Sequence, residues 1–355
     1  MSDLRITHWL DLNDFASSSV YQLIDSIVYI LSMKKIVVLL STYNGERFLC
    51  AQLDSLLIQE GVELKVLVRD DGSSDSTWDL LIAYKERYPM VFDALEGENV
   101  GFAMSFTRLL QRAVERYNDA DYFAFCDQDD VWMPDKLKAA VDRLKGEDHS
   151  IPLVYCSNTT LVDVNLRVIR EAWDPRRVAL TKERALIQSF ATGCTMVFNR
   201  VAAETYVTHL PEVIKVHDFL MYQLCMFLGK VVWDEKSYIL YRQHGNNQIG
   251  KKDFMGRMRK RMEGHYKEHV LELQNRRFLA AYKDLLSEED VWLISRFVFY
   301  RKNWLTRLLL LFDGKIKYNG FESNLFYVLK IIKGGVGLPL FSHRALTPFV
   351  VREGL

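Results

Sequence analysis

The sequence predicts an α/β fold in which a mostly parallel sheet is flanked by helices. Short apolar, β-branched segments such as IVVLL (residues 36–40) alternate with segments whose apolar residues recur at helical spacing. This alternation indicates βαβ units. Each apolar strand is also followed at once by short polar residues, as in FCDQDDVW (residues 125–132). Because ligands of open α/β sheets bind at the carboxyl ends of the strands, these residues predict a binding site.

Four strand–helix pairs follow one another from residue 36. The strands are predicted in IVVLL, LKVLV, VFDALEG and DYFAFC. The helices that follow them are predicted in RFLCAQLDSLLIQ, TWDLLIAYKERY, SFTRLLQRAVERY and MPDKLKAAVDRL. The polar residues at the four strand ends are Thr42 and Asn44, Asp70 and Asp71, Asn99 and Gly101, and Asp127 and Asp129. Four consecutive strands with the same transition favour one shared ligand site.

The pattern changes after about residue 150. We expect a strand in LVYCSNTTLVD, a loop entering a strand in SFATGCTMVFNR, and a helix in VHDFLMYQLCMFLG. The segment KVVWDEKSYILYRQHGNN is either a strand pair or a strand and a loop. From about residue 250 the chain is helical and more basic. We therefore divide it into an extension (1–33), an α/β domain (34–250) and a helical region (251–355).

Bulk composition excludes several classes of protein. Lys and Arg together number 46, as do Asp and Glu, so net charge does not indicate nucleic acid as a partner. The five Cys form no CxxC pair, which fits a reducing compartment and argues against a disulfide framework or a thiolate zinc site. No apolar run approaches the roughly 18 residues that a membrane span needs. The charge of the first 33 residues is wrong for a signal peptide.

Asp127 and Asp129 lie two residues apart at the end of the fourth strand. Residues i and i+2 of an extended segment point to the same side, so both carboxylates could face one cation. Hard divalent ions take oxygen ligands, and Mg²⁺ is commonly held by one or two carboxylates and substrate phosphates. The alternative is a solvated turn that caps the next helix. The position at a shared strand edge favours a metal site.

The second strand ends in Asp70 and Asp71, followed by GSSD. A carboxylate there could accept a hydrogen bond from the imide N–H of a uracil or thymine base. Gly72 permits a tight turn, and Ser74 or Asp75 can cap the next helix. A capped turn alone explains Ser74 and Asp75 but explains the paired carboxylates less well.

Two further segments carry candidate residues. Asp218 follows His217 at the start of an apolar helix, where the helix dipole stabilises the ionised carboxylate. That is a sufficient structural reason for an Asp, and it is also what a general base needs. Arg242 and His244 stand beside a glycine in YRQHGNN, which suits a diphosphate or a metal ion; the alternative is a surface loop.

Seven segments together resemble, in order, the inverting GT-A glycosyltransferases of family two. They are VVLLSTYNGERFLCAQLDSLLIQ, VLVRDDGSSDST, ENVGFAMSF, FCDQDDVWMPDKL, ATGCTMVFNR, HDFL and YRQHGNN. The sequences of these segments are most similar to those of bacterial rhamnosyltransferase-like members that build surface polysaccharides. The resemblance covers about residues 34–250 and implies a GT-A catalytic domain there. It also implies a nucleotide-diphosphate sugar donor, a cofactor that is Mg²⁺ or Mn²⁺, and direct displacement with inversion.

The resemblance assigns roles motif by motif. The nucleotide-binding residues that it implies are Thr42, Tyr43, Asn44, Asp71, Asn99 and Asp127. The metal-binding residues are Asp129 and His244. The acceptor or diphosphate loops contain Thr192, Gly193, Cys194 and Arg242. Asp218 matches the general base; many relatives carry Glu-Asp there, so the role of His217 is open.

The helical region leaves two alternatives open. Residues 251–262, KKDFMGRMRKRM, carry six bases and one acid, and short apolar stretches follow. Bases beside amphipathic segments suit the anionic cytoplasmic face of a membrane, where a polyprenyl-linked acceptor would lie. The other alternative is a helical subdomain packed on the catalytic domain. We expect a cytoplasmic protein, with peripheral contact with the inner membrane under the first alternative.

Three functions compete at this point. The first is transfer of a sugar, best guess L-rhamnose from dTDP-L-rhamnose or else from another UDP- or dTDP-sugar, to a saccharide or lipid-linked acceptor. The second is nucleotidyl transfer, for which the loop STYNGER has only one Gly and one Arg. The third is a nucleotide-sugar binding module without activity, against which Asp129 and Asp218 argue.

Overall fold

A nine-stranded sheet forms the centre of the molecule. The structure is a computed structural model that describes residues 33–244, 270–300, 304–312 and 316. The strands are β1 (Lys34–Thr42), β2 (Val62–Asp70), β3 (Phe92–Glu96), β4 (Tyr122–Cys126), β5 (Val131–Trp132), β6 (Leu153–Val162), β7 (Val168–Glu171), β8 (Val197–Asn199) and β9 (Lys230–Arg242). Their order is β3-β2-β1-β4-β8-β6-β9-β5, and β7 pairs with β6.

Strand direction brings the polar loops to one edge of the sheet. β1 is parallel to β2 and β4, and β2 is parallel to β3. β8 is antiparallel to both β4 and β6, so β6 runs the same way as β4, and β9 is parallel to β6. β5 and β7 are antiparallel to their partners. The carboxyl ends of β1, β2, β3, β4, β6 and β9 therefore share one edge, while the second half of the sheet is mixed.

Helices cover both faces of the sheet because successive strand residues point to opposite sides. In β1, Val37 and Leu39 belong to one apolar cluster, and Ile36, Val38 and Leu40 belong to the other. The helices are Glu46–Leu57, Thr77–Arg87, Phe102–Arg116, Lys136–Leu144, Lys182–Ala185, Arg200–Thr208, His217–Leu228, Val270–Tyr282, Glu288–Phe299 and Trp304–Phe312. Short 3₁₀ turns occupy Pro175–Arg177, Gly193–Thr195 and Lys283–Leu285.

The elements predicted for residues 36–244 are present, and the structure adds the helices Lys182–Ala185 and Arg200–Thr208, which were not predicted. The segment beginning KVVWDEK is one long strand, β9, followed by a loop at residues 243–244, which is the second of the two predicted alternatives. The register of β9 with β6 shifts at Ser157 and Asn158. The two-residue strand β5 and the exposed strand β7 were not predicted. Strands this short carry too few residues for an alternating pattern to be visible.

The described C-terminal helices pack on the α/β domain through a shared core. Phe278 stacks on Tyr282 and lies 5.5 Å from Phe227, measured between ring centroids. The side-chain amide of Gln223 donates to the Asn275 Oδ1 atom at 2.9 Å, and Asn275 donates to the Leu186 carbonyl at 2.8 Å. Within the described ranges no helix has both the length and the apolar character needed to cross a bilayer. The 1–32 part of the predicted extension and the basic run 251–262 lie outside these ranges.

Candidate active site

The loop that follows β1 is held by the loop that follows β2. The Thr42 hydroxyl donates to the Asp70 carboxylate at 3.0 Å. The Asn44 N–H donates to the Ser73 hydroxyl at 2.8 Å, and the Asn44 side-chain oxygen accepts from the Ser74 N–H at 2.8 Å. Asn44 has φ 48°, a left-handed conformation that Asn tolerates better than most residues. The predicted nucleotide-contacting residues 42–44 thus form one fixed loop, from which the Tyr43 side chain is 49% exposed.

Asp71 is buried and fully engaged within the protein. It forms an ion pair with Arg69, and it accepts from the Val100 N–H at 3.0 Å and the Gly101 N–H at 2.9 Å. These bonds tie the loop after β3, which carries the exposed Asn99, to the end of β2. The base-reading role of Asp71 stays a prediction; its observed role is to fix this neighbouring loop.

Asp129 and His244 come together although they are far apart in sequence. The His244 Nε2 atom lies 2.6 Å from an Asp129 carboxylate oxygen. Arg242 supports the pair from β9, because its Nε–H donates to the Asp129 carbonyl at 2.8 Å. The Phe48 ring contacts both His244, at 5.1 Å, and the Arg242 guanidinium, at 4.5 Å. The two residues predicted to bind metal are therefore in direct contact.

Asp127 lies just after the end of β4, beside Asp130 and Cys194. β4 ends at Cys126, so residues 127–130 form a bend and the i, i+2 rule of an extended segment does not apply. Ligand atoms of Asp127, Asp130 and Cys194 lie within 4.8 Å of one another. Burial raises the pKa of Asp127, and repulsion by Asp129 and Asp218 adds to this. Asp218 lies near this group, because its carboxylate accepts from the N–H of Gly193, the residue that precedes Cys194. We call the space bordered by these carboxylates the crevice.

The Cys194 side chain is buried beside the carboxylates of Asp127 and Asp130. Burial, together with the negative charges of Asp130 and Asp127, holds the pKa of its thiol well above the usual range. The neutral thiol is a poor ligand for a hard cation, which prefers oxygen. Thr192 shapes the same loop, because its carbonyl accepts from the Thr195 N–H at 2.9 Å and the Thr195 hydroxyl at 2.7 Å.

Asp218 begins the helix His217–Leu228 and faces the 3₁₀ turn at Gly193. Its carboxylate accepts from the Gly193 N–H at 3.0 Å and from the Phe219 N–H at 2.6 Å. Burial raises the pKa of Asp218 to about 6, and the two backbone hydrogen bonds oppose the increase. The group is fixed, lies beside Asp127 and loses its proton just below neutral pH. These are the properties of a general base.

His217 lies in an aromatic box and is neutral. Its ring stacks on Phe106 at 4.0 Å and meets the edge of Phe125 at 4.7 Å. Burial lowers the pKa of His217 to about 3. Within the described residues neither ring nitrogen has a hydrogen-bond partner. The histidine therefore packs as an aromatic residue behind Asp218 and adds no charge to the crevice.

Comparison with known proteins identifies the family. The model of the family described as "Glycosyl transferase family 2" matches residues 37–207. The dTDP-rhamnosyl transferase RfbG of Shigella flexneri is 30% identical over 225 residues, which are 59% of this chain and 73% of that protein. The chain belongs to glycosyl transferase family 2. An uncharacterized glycosyltransferase of a Nostoc species is 26% identical over 60% of this chain and 66% of its own length.

A solved transferase structure has a fold similar to that of this chain. S. aureus TarS residues 1–349, solved with UDP, superpose with a TM-score of 0.52 at 18% identity, covering 86% of this chain and 81% of TarS. The GT-A fold and the glycosyltransferase class predicted from sequence are therefore confirmed. Membership of this family decides against the nucleotidyltransferase and the inactive binding module.

The carboxylate group fits a hard divalent cation, as expected of a GT-A transferase. Asp127, Asp129 and Asp130 lie on four consecutive residues, and within the described residues the Asp130 Oδ2 atom is buried without a hydrogen-bond partner. Oxygen-rich groups of this kind suit Mg²⁺ or Mn²⁺. A cation among them would reduce the mutual repulsion that now raises the pKa of Asp127.

Sequence reasoning missed three residues that support the site. Arg69 neutralises Asp71; an Arg at the end of an otherwise apolar strand was the available signal. Lys136 is fully buried with its ammonium 3.5 Å from the Trp132 ring centre, and burial lowers its pKa to about 8. Gln128 was passed over because it stands between two carboxylates, yet its side chain bonds the backbone of Tyr43.

We predict that Gly193→Ala reduces turnover by about 10²-fold, the scale that a small misplacement of a catalytic group can reach. A Cβ atom at this position would lie 3.2 Å from the Asp218 Oδ2 atom and 3.3 Å from the His217 Nε2 atom, so the base would have to move. Donor affinity should change little, and the measurement is kcat beside nucleotide affinity. The control is Gly146→Ala, where a Cβ meets nothing within 4 Å. Normal turnover in Gly193→Ala contradicts the placement of Asp218.

Proposed function

We propose that this chain is an inverting glycosyltransferase that moves a sugar from a nucleoside-diphosphate donor to a hydroxyl of a growing surface polysaccharide or lipid-linked oligosaccharide. The proposed donor is dTDP-L-rhamnose. The 30% identity to RfbG, a dTDP-rhamnosyl transferase, supports this choice. The UDP complex of TarS, which has the same fold, supports a nucleoside diphosphate as leaving group. The alternative is another UDP- or dTDP-sugar.

The observation that carries the proposal is the placement of Asp218. Its carboxylate is fixed by the Gly193 and Phe219 amides and lies in the crevice that holds Asp127. Asp218 takes the proton of the acceptor hydroxyl, and the oxygen attacks the anomeric carbon opposite the leaving diphosphate. A single displacement of this kind inverts the carbon and forms no covalent enzyme intermediate. For the acceptor hydroxyl, the protein needs to supply only a general base.

The donor side is proposed to lie across the loops after β1, β2 and β4. Residues 42–44 contact the nucleoside, with Asp71 and Asn99 behind them and Asp127 toward the ribose and diphosphate. Asp129 and His244 hold Mg²⁺ or Mn²⁺, which, when bound, neutralises the charge that develops on the leaving diphosphate. Arg242 keeps Asp129 in position through the Asp129 carbonyl.

The location of the protein is a separate proposal. A polyprenyl-linked acceptor would bring the chain to the cytoplasmic face of the inner membrane, and the basic run 251–262 supports peripheral contact there. The described C-terminal helices also carry exposed apolar side chains, of which Phe312 is 84% and Trp292 58% exposed. Their packing against the α/β domain is equally compatible with a supporting helical subdomain.

A screen of nucleotide sugars tests the donor. Because a ligand that binds only the folded state raises its stability, we expect dTDP-L-rhamnose with Mn²⁺ to raise the melting temperature more than UDP- or GDP-sugars do. Transfer of the stabilising sugar to a lipid-linked or saccharide acceptor, with inversion seen by NMR, completes the test. A larger stabilisation by a UDP-sugar selects the alternative donor, and a product with retained configuration contradicts the mechanism.

Asp218→Asn and Asp129→Asn are expected to fail in different ways. Loss of a general base typically costs about 10²–10⁴-fold in turnover, so Asp218→Asn should lose that factor while donor affinity changes little. Asp129→Asn should lose metal-dependent donor binding as well as rate. Donor affinity by calorimetry and single-turnover rates separate the two. Equal loss of donor affinity in both variants, with a melted fold in Asp218→Asn, would assign Asp218 a structural role.

The pH dependence of turnover should show an acidic limb set by Asp218. The carboxylate must be ionised to accept a proton, and burial raises its pKa to about 6. At saturating donor and metal, kcat/KM for the acceptor should therefore be constant above about pH 7 and fall roughly tenfold per pH unit below about 6. The residual activity of Asp218→Asn should lack this limb. An unchanged limb in that variant assigns the titration to another group.

A further inference from the structure

The side chain of Gln128 continues the pairing of two strands beyond their last backbone contact. β1 and β4 are in register as far as Leu40 and Cys126. Past that point the Gln128 Oε1 atom accepts from the Tyr43 N–H at 2.8 Å, and the Gln128 Nε2 atom donates to the Tyr43 carbonyl at 3.1 Å. One side-chain amide thus satisfies both backbone groups of Tyr43, as a neighbouring strand would.

The chain leaves room for this amide and braces the same loop from the other side. A Cβ atom at Gly45 would lie 2.3 Å from the Gln128 Oε1 atom, so glycine permits the close approach. Opposite Gln128, the Asn44 and Gly45 N–H groups donate to the hydroxyls of Ser73 and Thr77, each at 2.8 Å. Because residues 44 and 45 are held on one side by the residues that follow β2, a movement of the loop after β4 is transmitted to residues 43–45 through Gln128.

Gln128 also stands between two carboxylates of the metal-binding loop. Asp127 precedes it, and Asp129, which contacts His244 at 2.6 Å, follows it. We propose that Gln128 is a positioning residue that couples cation binding at Asp129 to the order of the nucleotide-contacting loop at Tyr43. The inference rests on the proposed function, because that function places the cation and the nucleoside on these two loops.

The coupling follows from charge and from linkage. A divalent cation offsets the repulsion between Asp127 and Asp129. With the repulsion reduced, the segment between the two carboxylates stays in one position. A fixed Gln128 then fixes the Tyr43 backbone, and the nucleoside meets a loop that is already ordered. Because coupling is reciprocal, the nucleoside should tighten cation binding by the same factor, commonly about 5–150-fold. A purely structural brace would stabilise the loop equally with and without the cation.

The coupling can be measured without turnover, as the effect of Mn²⁺ alone on the hydrogen-exchange rate of the Tyr43 amide. In the parent protein we expect saturating Mn²⁺ to slow exchange of the Tyr43 amide by about tenfold, within the usual range of coupling. Gln128→Met keeps the length of the side chain and removes both hydrogen bonds, so this slowing should vanish. Gly45→Ala is a second variant that displaces the Gln128 amide while leaving Gln128 in the sequence.

The matched control is Gln59→Met. Gln59 also bridges backbone groups, donating to the Met133 carbonyl at 2.8 Å and accepting from the Leu137 N–H at 3.2 Å, but these partners belong neither to the loop 127–130 nor to residues 43–45. This variant should retain the Mn²⁺ effect at Tyr43. Melting temperatures of all the variants show whether the fold survives.

Binding of a nucleoside without phosphates distinguishes coupling through the protein from direct contact between the ion and the ligand. Thymidine carries no phosphate to bind the ion, so any Mn²⁺ effect on its affinity passes through the loops. We expect Mn²⁺ to tighten thymidine binding in the parent and in Gln59→Met, and to have no effect in Gln128→Met. For dTDP, where the diphosphate contacts the ion directly, Gln128→Met should lose only part of the enhancement.

Three results would overturn the inference: an equal Mn²⁺ effect in Gln128→Met and the parent, no Mn²⁺ effect at Tyr43 in the parent, or the same loss in Gln59→Met. A parent that transfers sugar but shows no Mn²⁺ effect at Tyr43 overturns the inference and leaves the proposed function intact. A parent that transfers no sugar, yet shows the Mn²⁺ effect and its loss in Gln128→Met, contradicts the proposed function alone.

Discussion

The constraint on which this structure depends is the repulsion among carboxylates at one edge of the sheet. Asp127, Asp129, Asp130 and Asp218 share a crevice, and burial with mutual repulsion raises the pKa of Asp127 and Asp130. Asp130 accepts from the backbone N–H of Arg242 at 3.1 Å, and its other carboxylate oxygen has no hydrogen-bond partner in the described part of the chain. The fold therefore holds negative charge that it does not fully neutralise, which is the condition under which a cation and a diphosphate bind together.

The loops around this charge are positioned by hydrogen bonds rather than by apolar packing. Asn44, Ser73 and Thr77 join the first two loops, and Asp71 joins the second to the third. Bonds of this kind fix a backbone while leaving side chains such as that of Tyr43 exposed for a ligand. A rigid edge with exposed groups needs little reordering when the ligand arrives, so less binding energy is lost to conformational entropy.

The sequence predicted the parallel half of the sheet because each strand there is an uninterrupted apolar run that ends in polar residues. Spacing and position indicated a metal site at Asp129 and candidate roles for Asp218 and His244, and the family resemblance assigned each residue a specific role, which stays a prediction. Local rules failed at Asp127, because β4 ends one residue earlier and a bend replaces the extended segment. The partners of Asp71 and of His217 could not be predicted, since Val100 and Phe106 come from elements distant in sequence. Contacts of that kind are decided by topology, which single-sequence periodicity does not determine.

Buried hydrogen bonds join the helix that carries Asp218 to the described C-terminal helices. Asp218 is the second residue of a helix whose seventh residue, Gln223, donates to both the Ala185 carbonyl and Asn275. Every member of that buried network depends on the others, because an amide left without its partner in the core costs about 1–3 kcal/mol. A change in the C-terminal helices can therefore reach the helix of Asp218 through Asn275 and Gln223. The loops after β1 and β2 are held by a separate set of hydrogen bonds, so the two ends of the proposed site are supported by different parts of the described chain.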